Sequence, residues 1–220
     1  VLIPLWLQSV IGYSASESGH VMAFIGVFAV LVAPLASKVM EKVDLRMCIT
    51  GGMLWLVMTT LLRTQWSTDG SFWDFSLPQL LQGFGMPFFF IGLMTFALSA
   101  IPPKETASAA GLLSFMRTIS GAIGTALSTA FWDDASRQSR DQMVGTLGEN
   151  ANAAAAKLQA AGYTEPQARA MIERLVDAQS ATVGASHVFW MAATVLFIAA
   201  WLPWLAKRPK VLFSGAAPAH

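Results

Sequence analysis

The sequence predicts an all-α membrane protein with six spanning helices, the first of them truncated. Three observations carry that expectation. Of 220 residues, 55% are hydrophobic and only 12% charged, against roughly a quarter charged in an ordinary soluble domain, and the mean hydropathy is +0.53. The apolar residues gather into runs, five of which reach the roughly 20 residues needed to cross a bilayer core, while a sixth stops short. Charge, proline and glycine mark the borders between the runs.

Span one, Val1 to Gly12, gives about 18 Å of helix, too short to cross. It begins inside an apolar run with no charged flank or initiating Met, so the chain reads as a fragment lacking its amino-terminal part. The stretch "GYSASESG" makes a turn. Span two, Ser18 to Ser37, contains Pro34 and ends in the charged loop "SKVMEKVDLR". Span three, Met47 to Thr64, leads into "QWSTDGSFWDFS", whose Trp66, Phe72, Trp73 and Phe75 suit an interfacial aromatic belt, with Arg63 at its border. Span four, Leu77 to Ile101, carries "QGFGMP", where Gly83, Gly85 and Pro87 are expected to kink or loosen the helix. Span five, Thr106 to Trp132, follows the tight loop "PPKE". Residues 1–132 therefore hold spans one to five, 133–180 a long polar loop, 181–205 the last span and 206–220 a tail.

Lys38, Lys42 and Arg46, then Lys104, then Lys207, Arg208 and Lys210 lie in loops and a tail on one side of the membrane. The positive-inside rule makes that side cytoplasmic. The loop at 133–180 then faces outward and becomes periplasmic in an inner-membrane protein. It is too polar to insert but carries helical signals. Thr164 and Gln167 form a capping box, Pro166 suits a first turn, and Ala168, Met171, Ile172, Leu175 and Val176 make one apolar stripe. A second short helix is expected over "NANAAAAKLQAAG", closed by Gly162. These amphipathic helices either cap the membrane domain or offer a docking surface.

Arg117 stands out within "GLLSFMRTISGAIGTALSTAFW", about 20 Å along the helix counted from Pro103 and close to mid-membrane. A cation facing lipid there costs at least about 2.5 kcal/mol, so it is expected to face protein or a water-filled cavity. Ala110, Ser114, Arg117, Gly121, Gly124 and Ser128 step by threes and fours and form one stripe, small at every position but the arginine. Small residues on one stripe admit a close second helix, so Ser114, Gly121, Gly124 and Ser128 are expected to form a packing seam. Arg117 is then either satisfied by carbonyls of neighbouring helices or part of a substrate path or gate.

All 13 acidic residues fall in loops or at span ends, so a membrane-buried carboxylate for proton coupling is expected elsewhere in the protein. His20 and His187, near outer span ends, are the other titratable candidates for a proton-linked role, or ordinary interfacial histidines. Gln8, Gln82, Phe88, Phe89, Phe90 and Met94 are candidates for a cavity lining, since methionine and aromatic rings adapt to varied apolar shapes, although such residues also face lipid. No metal-ligand spacing, nucleophile constellation or phosphate loop occurs in a sensible place, so no cofactor is expected and an enzyme is disfavoured. A single cysteine, Cys48, excludes an intrachain disulfide. A net charge of +1 with scattered basic residues gives no reason to expect nucleic acid.

Four blocks carry a family resemblance: "VLIPLWLQSVIGYSASESG", "PLASKVMEKVDLR", "LPQLLQGFGMPFFFIGLMTFALSAIPPKETASAAGLLSFMRTISGAIGTALSTAFW" and "FWMAATVLFIAAWLPWLAKRP". In order and spacing they resemble the carboxy-terminal half of the EmrB/QacA branch of the major facilitator superfamily, drug:proton antiporters with fourteen spans. The resemblance implies a six-helix C-terminal bundle, both family termini cytoplasmic, and export of hydrophobic, drug-like compounds coupled to proton entry. It also implies a periplasmic adaptor (EmrA-like) and an outer-membrane channel (TolC-like) as partners. Asp44 and Arg46 match the acidic and basic positions of the superfamily's cytoplasmic loop motif and are expected to latch that loop, with Ser37-Lys38 standing where relatives carry Gly-Arg. The family's coupling acids belong to the other half. Two further readings stand beside antiport: a transporter of another solute such as a fatty acid or siderophore, and a non-transporting membrane sensor or scaffold.

Overall fold

The computed structural model describes residues 2–99 and 101–206, apart from the side chains of residues 103 and 147–150. Those residues are helical almost throughout, and no strand occurs among them. Helix α1, Leu2–Trp6, runs into a π-helical turn, Leu7–Ile11, that closes at Gly12 with φ +83°. Helix α2 is Ala15–Met40, α3 Leu45–Leu62, α4 Phe72–Leu98, α5 Thr106–Ala160, α6 Glu165–Ala199 and α7 Leu202–Leu205. Five helical segments are long and apolar enough to cross a membrane, and Leu2–Ile11 is a shorter apolar one.

Local chemistry sets the helix starts. Ser14 and Glu17 form a reciprocal capping box on α2, the Glu17 carboxylate accepting from the Ser14 N–H at 2.8 Å. Asp44 caps α3 by accepting from the Arg46 N–H at 3.0 Å, and Ser71 with Asp74 caps α4. Each cap satisfies backbone donors that a helix terminus leaves without partners.

The packing order is α2 on α4, α4 on α3, α3 on α6 and α6 on α5. One core lies at the end of the α3–α4 loop, called upper below, around Trp6, Phe75, Trp132 and Phe189. Trp66 stacks on Trp6 with centroids 5.4 Å apart and meets Phe75 edge-on at 5.3 Å, so the expected aromatic belt turns partly inward. A second core, at the lower end, gathers Met40, Leu45, Cys48, Ile49, Met53 and Ala200.

Helix α4 continues as one element through Gly83, Gly85 and Pro87, and its glycines serve close approach: a Cβ at Gly83 would lie 2.6 Å from the Ile25 carbonyl oxygen of α2, while on α3 one at Gly52 would lie 2.9 Å from the Phe89 nitrogen of α4. The expected loop at 133–180 is corrected by this packing, since it is no separate unit. Helix α5 continues for 55 residues, about 82 Å at 1.5 Å per residue, and α6 begins at Glu165, so the polar segment extends spans five and six as a helical hairpin. Gly162 turns the hairpin at φ +99°, and the Thr164–Gln167 box starts α6. The expected separate alanine-rich helix is thus the end of α5. From residue 207 on, the tail lies outside the described residues.

The hairpin is tied at its base. Trp132 Nε1 donates to the Ala181 carbonyl at 2.8 Å, Ser136 packs against Gly184, Arg140 pairs with Asp177 at 2.6 Å, and Gln179 donates to Thr68 at 3.0 Å. Of the apolar stripe, Ala168 and Val176 are buried, while Met171 and Leu175 stay 42% and 56% exposed.

Candidate functional site

Among the described residues two arginines are buried, Arg46 near the start of α3 and Arg63 just past its end; Arg63 is the deeper, with 5% of its surface exposed. Its Nη2 donates to Gln79 Oε1 at 2.7 Å and also to Gln82 Oε1. Both glutamines lie on the face of α4 that meets α3, together with Gly85 and Phe89, because residues three and four apart share a helix face. Gln79 is fully buried and Gln82 half-buried. Arg63 Nε, Gln79 Nε2 and Ser76 Oγ are buried without a hydrogen-bond partner among the described residues, as is Ser18 Oγ on α2. Helices α2 and α4 run the same way, and Ser18 and Ser76 each sit seven residues before the Ile25–Gly83 crossing, which puts them at one level.

No carboxylate pairs with Arg63: the ion pairs among the described residues are Arg140–Asp177 and Arg169–Glu165, both on the hairpin. Desolvating a guanidinium costs several kcal/mol, and two neutral carbonyls do not neutralise its charge. Below this trio, an apolar groove of about 330 Å³ runs between α3 and α4, lined by Met47, Cys48, Gly51, Trp55, Phe84 and Phe88. Residues 47 to 55 of α3 span it, about 12 Å at 1.5 Å per residue.

The residues expected to line a cavity are not brought together. Gln82 turns onto Arg63, and Phe89 packs in the lower core near Ile49. Met94 is exposed, and Gln8 is exposed on the π-helical turn with its amide donating to the Pro4 carbonyl at 3.1 Å. His20 and His187 are exposed on different helices. The expected latch takes a different form. Asp44 caps its own helix, and the Arg46 guanidinium, 8% exposed, donates through Nη2 to the Ala206 carbonyl. Beside it Trp204 Nε1 donates to Thr50 Oγ1, which donates to the Ala200 carbonyl, both at 3.0 Å. This loop is thus fastened to the end of the last span.

Arg117 is exposed, and no residue from Thr106 to Phe131 is buried. The stripe nevertheless keeps one face: Gly121, Gly124 and Ser128 line a groove opposite Leu2, while Leu112, Met116, Ile119 and Ile123 occupy the other side of α5. A Cβ at Gly121 or Gly124 would meet nothing within 4 Å, so the expected seam is not closed by any described residue. Close packing falls at Gly52, Gly83 and Gly85 instead.

Comparison with known proteins settles the family. The sequence profile of the Major Facilitator Superfamily matches residues 1–135. The chain belongs to the Major Facilitator Superfamily. Within it, the chain is 32% identical over 224 residues to the "Multidrug export protein EmrB" of Escherichia coli (strain K12), a match covering 100% of this chain and 44% of that protein. It is 30% identical to the EmrB protein of Haemophilus influenzae over 95% of this chain and 42% of that one. It is 29% identical to the "Fatty acid resistance protein FarB" of Neisseria gonorrhoeae over 94% of this chain and 42% of that protein. The chain spans about half the length of these relatives and matches one half of EmrB. As a superfamily member with five spanning segments, it is a multi-pass inner-membrane protein.

Proposed function

We propose that the protein exports hydrophobic, drug-like compounds in exchange for protons, with this chain forming one six-helix bundle of a two-bundle, alternating-access exporter. The observation that carries this reading is the similarity along the whole chain to proteins named for multidrug export. The charge distribution supports a cytoplasmic α2–α3 loop and a periplasmic hairpin. The test is drug resistance conferred by the full-length protein on a drug-hypersensitive host, with proton release from everted vesicles on drug addition. Resistance without drug-dependent proton movement overturns the coupling, and no resistance to any hydrophobic compound overturns the export.

A periplasmic adaptor and an outer-membrane channel complete the proposed path. The α5–α6 hairpin supports this part, because about 28 residues of α5 beyond Trp132 carry it some 40 Å past the spanning segment. Met171 and Leu175 are presented on its exposed side. Replacing both by Asp is expected to reduce adaptor capture at least fivefold in a crosslinking assay while the amount of protein in the membrane is unchanged. Unchanged crosslinking assigns adaptor binding elsewhere. The similarity to a protein named for fatty acid resistance favours a second reading, in which fatty acids are the exported compounds.

A further inference from the structure

We propose that Arg63 is the binding point for the carboxylate of an acid-headed, apolar-tailed solute, with the tail lying in the α3–α4 groove. This deepens the export reading and rests on it for the solute's onward movement, but the binding itself does not depend on it.

The argument is geometric. Nε–H and Nη2 lie on the same edge of a guanidinium, the edge that offers two parallel hydrogen bonds to a carboxylate. On Arg63 that edge is half used: Nη2 is shared between two neutral carbonyls and Nε–H has no partner. Gln79 Nε2 and Ser76 Oγ add further unused donors on the adjoining face of α4. A buried cation surrounded by spare donors and lacking a paired acid is complementary to an anion. Gln82, the half-buried member of the trio, is the gate: its carbonyl leaves Nη2 and the carboxylate takes Nη2 and Nε–H together. Gly85 lies one turn below Gln82 on the same face and borders the groove, whose upper end is formed by Trp55, packed on Gly85 and donating to the Leu81 carbonyl at 2.7 Å; a tail passes beside this indole to the space left open at Gly51, next to Phe88. Its lining is almost wholly apolar, so a charged head has no place in it and an alkyl chain does.

The test uses the purified full-length protein in nanodiscs and two probes of equal chain length, dodecanoate and dodecan-1-ol, titrated calorimetrically at neutral pH. The wild type is expected to bind the acid at least tenfold more tightly than the alcohol. Arg63→Gln is expected to abolish that preference and leave the alcohol unchanged. Arg63→Lys is expected to restore part of it, since a point charge replaces the fork. Gln82→Ala, which removes a competing acceptor, is expected to keep or strengthen acid binding. Equal binding of acid and alcohol by the wild type, or a preference that survives Arg63→Gln, overturns the proposal. Should Arg63→Gln fail to fold, Gln82→Ala decides, and a loss of acid preference there counts against the site. Wild type that exports a cationic dye but shows no acid preference refutes this site and leaves the export reading standing. Acid binding lost in Arg63→Gln, in a protein that exports nothing, does the reverse.

Discussion

Gly83→Leu is expected to abolish accumulation of the full-length protein in the membrane, and Gly83→Ala to lower it severalfold. A Cβ at this position lies 2.6 Å from the Ile25 carbonyl oxygen and 2.7 Å from Phe28 Cβ. The first neighbour is backbone, fixed by its own helix, so the clash is relieved only by moving α2 away from α4. Overpacking a well-fitted interface costs about 1–3 kcal/mol, and a displaced helix pair exceeds that range. The separation also opens the buried row in which Ser18, Ser76 and Gln79 lie. Gly19→Ala on α2 is the control, because a Cβ there meets nothing within 4 Å and alanine favours helix over glycine by about 1 kcal/mol. The measurement is abundance together with the melting temperature of the solubilised protein. If Gly83→Ala melts with the wild type, the two helices do not cross this closely.

The same glycines show what the sequence reveals and what it conceals. Spans were legible because hydropathy and length decide them, and the hairpin turn because Gly162 and the Thr164 box are local signals. The work of Gly83 was not legible: a glycine that softens a helix and one that admits a neighbour look alike until the neighbour is placed. Arg63 shows the same limit. In sequence it closes span three and reads as an interfacial cation. Its partners lie 16 and 19 residues further on, beyond a turn whose register no periodicity fixes. One signal was available: Arg63 closes α3, Gln79 and Gln82 share one face of the first three turns of α4, and a short turn folds these two helices back against each other. The continuity of α5 through the polar segment was hidden for another reason. Polar composition tells whether a segment enters the membrane, and it does not tell whether the helix stops there.

Arg117→Ala in the full-length protein is expected to cut drug resistance about tenfold at unchanged abundance. The structure sharpens the reason. Helix α5 has two faces, one carrying Leu112, Met116, Ile119 and Ile123, the other carrying Ser114, Arg117, Gly121, Gly124 and Ser128. The large apolar residues suit lipid, and the small face opposes Leu2 across an open groove. A guanidinium on the small face at mid-span cannot be left to lipid without a cost of at least about 2.5 kcal/mol. On the two-bundle reading proposed above, that open face is the one available to a second bundle or a solute. If the bundle meets it permanently, Arg117→Ala removes a structural cation and lowers abundance or melting temperature along with resistance. If the contact forms and breaks during alternating access, resistance falls while both stay as in the wild type, because only one state of the cycle loses its partner. Arg117→Lys separates charge from fork: recovery of resistance by lysine assigns the role to the charge, and continued loss assigns it to the two-pronged donor. Normal resistance in Arg117→Ala removes the residue from the transport path.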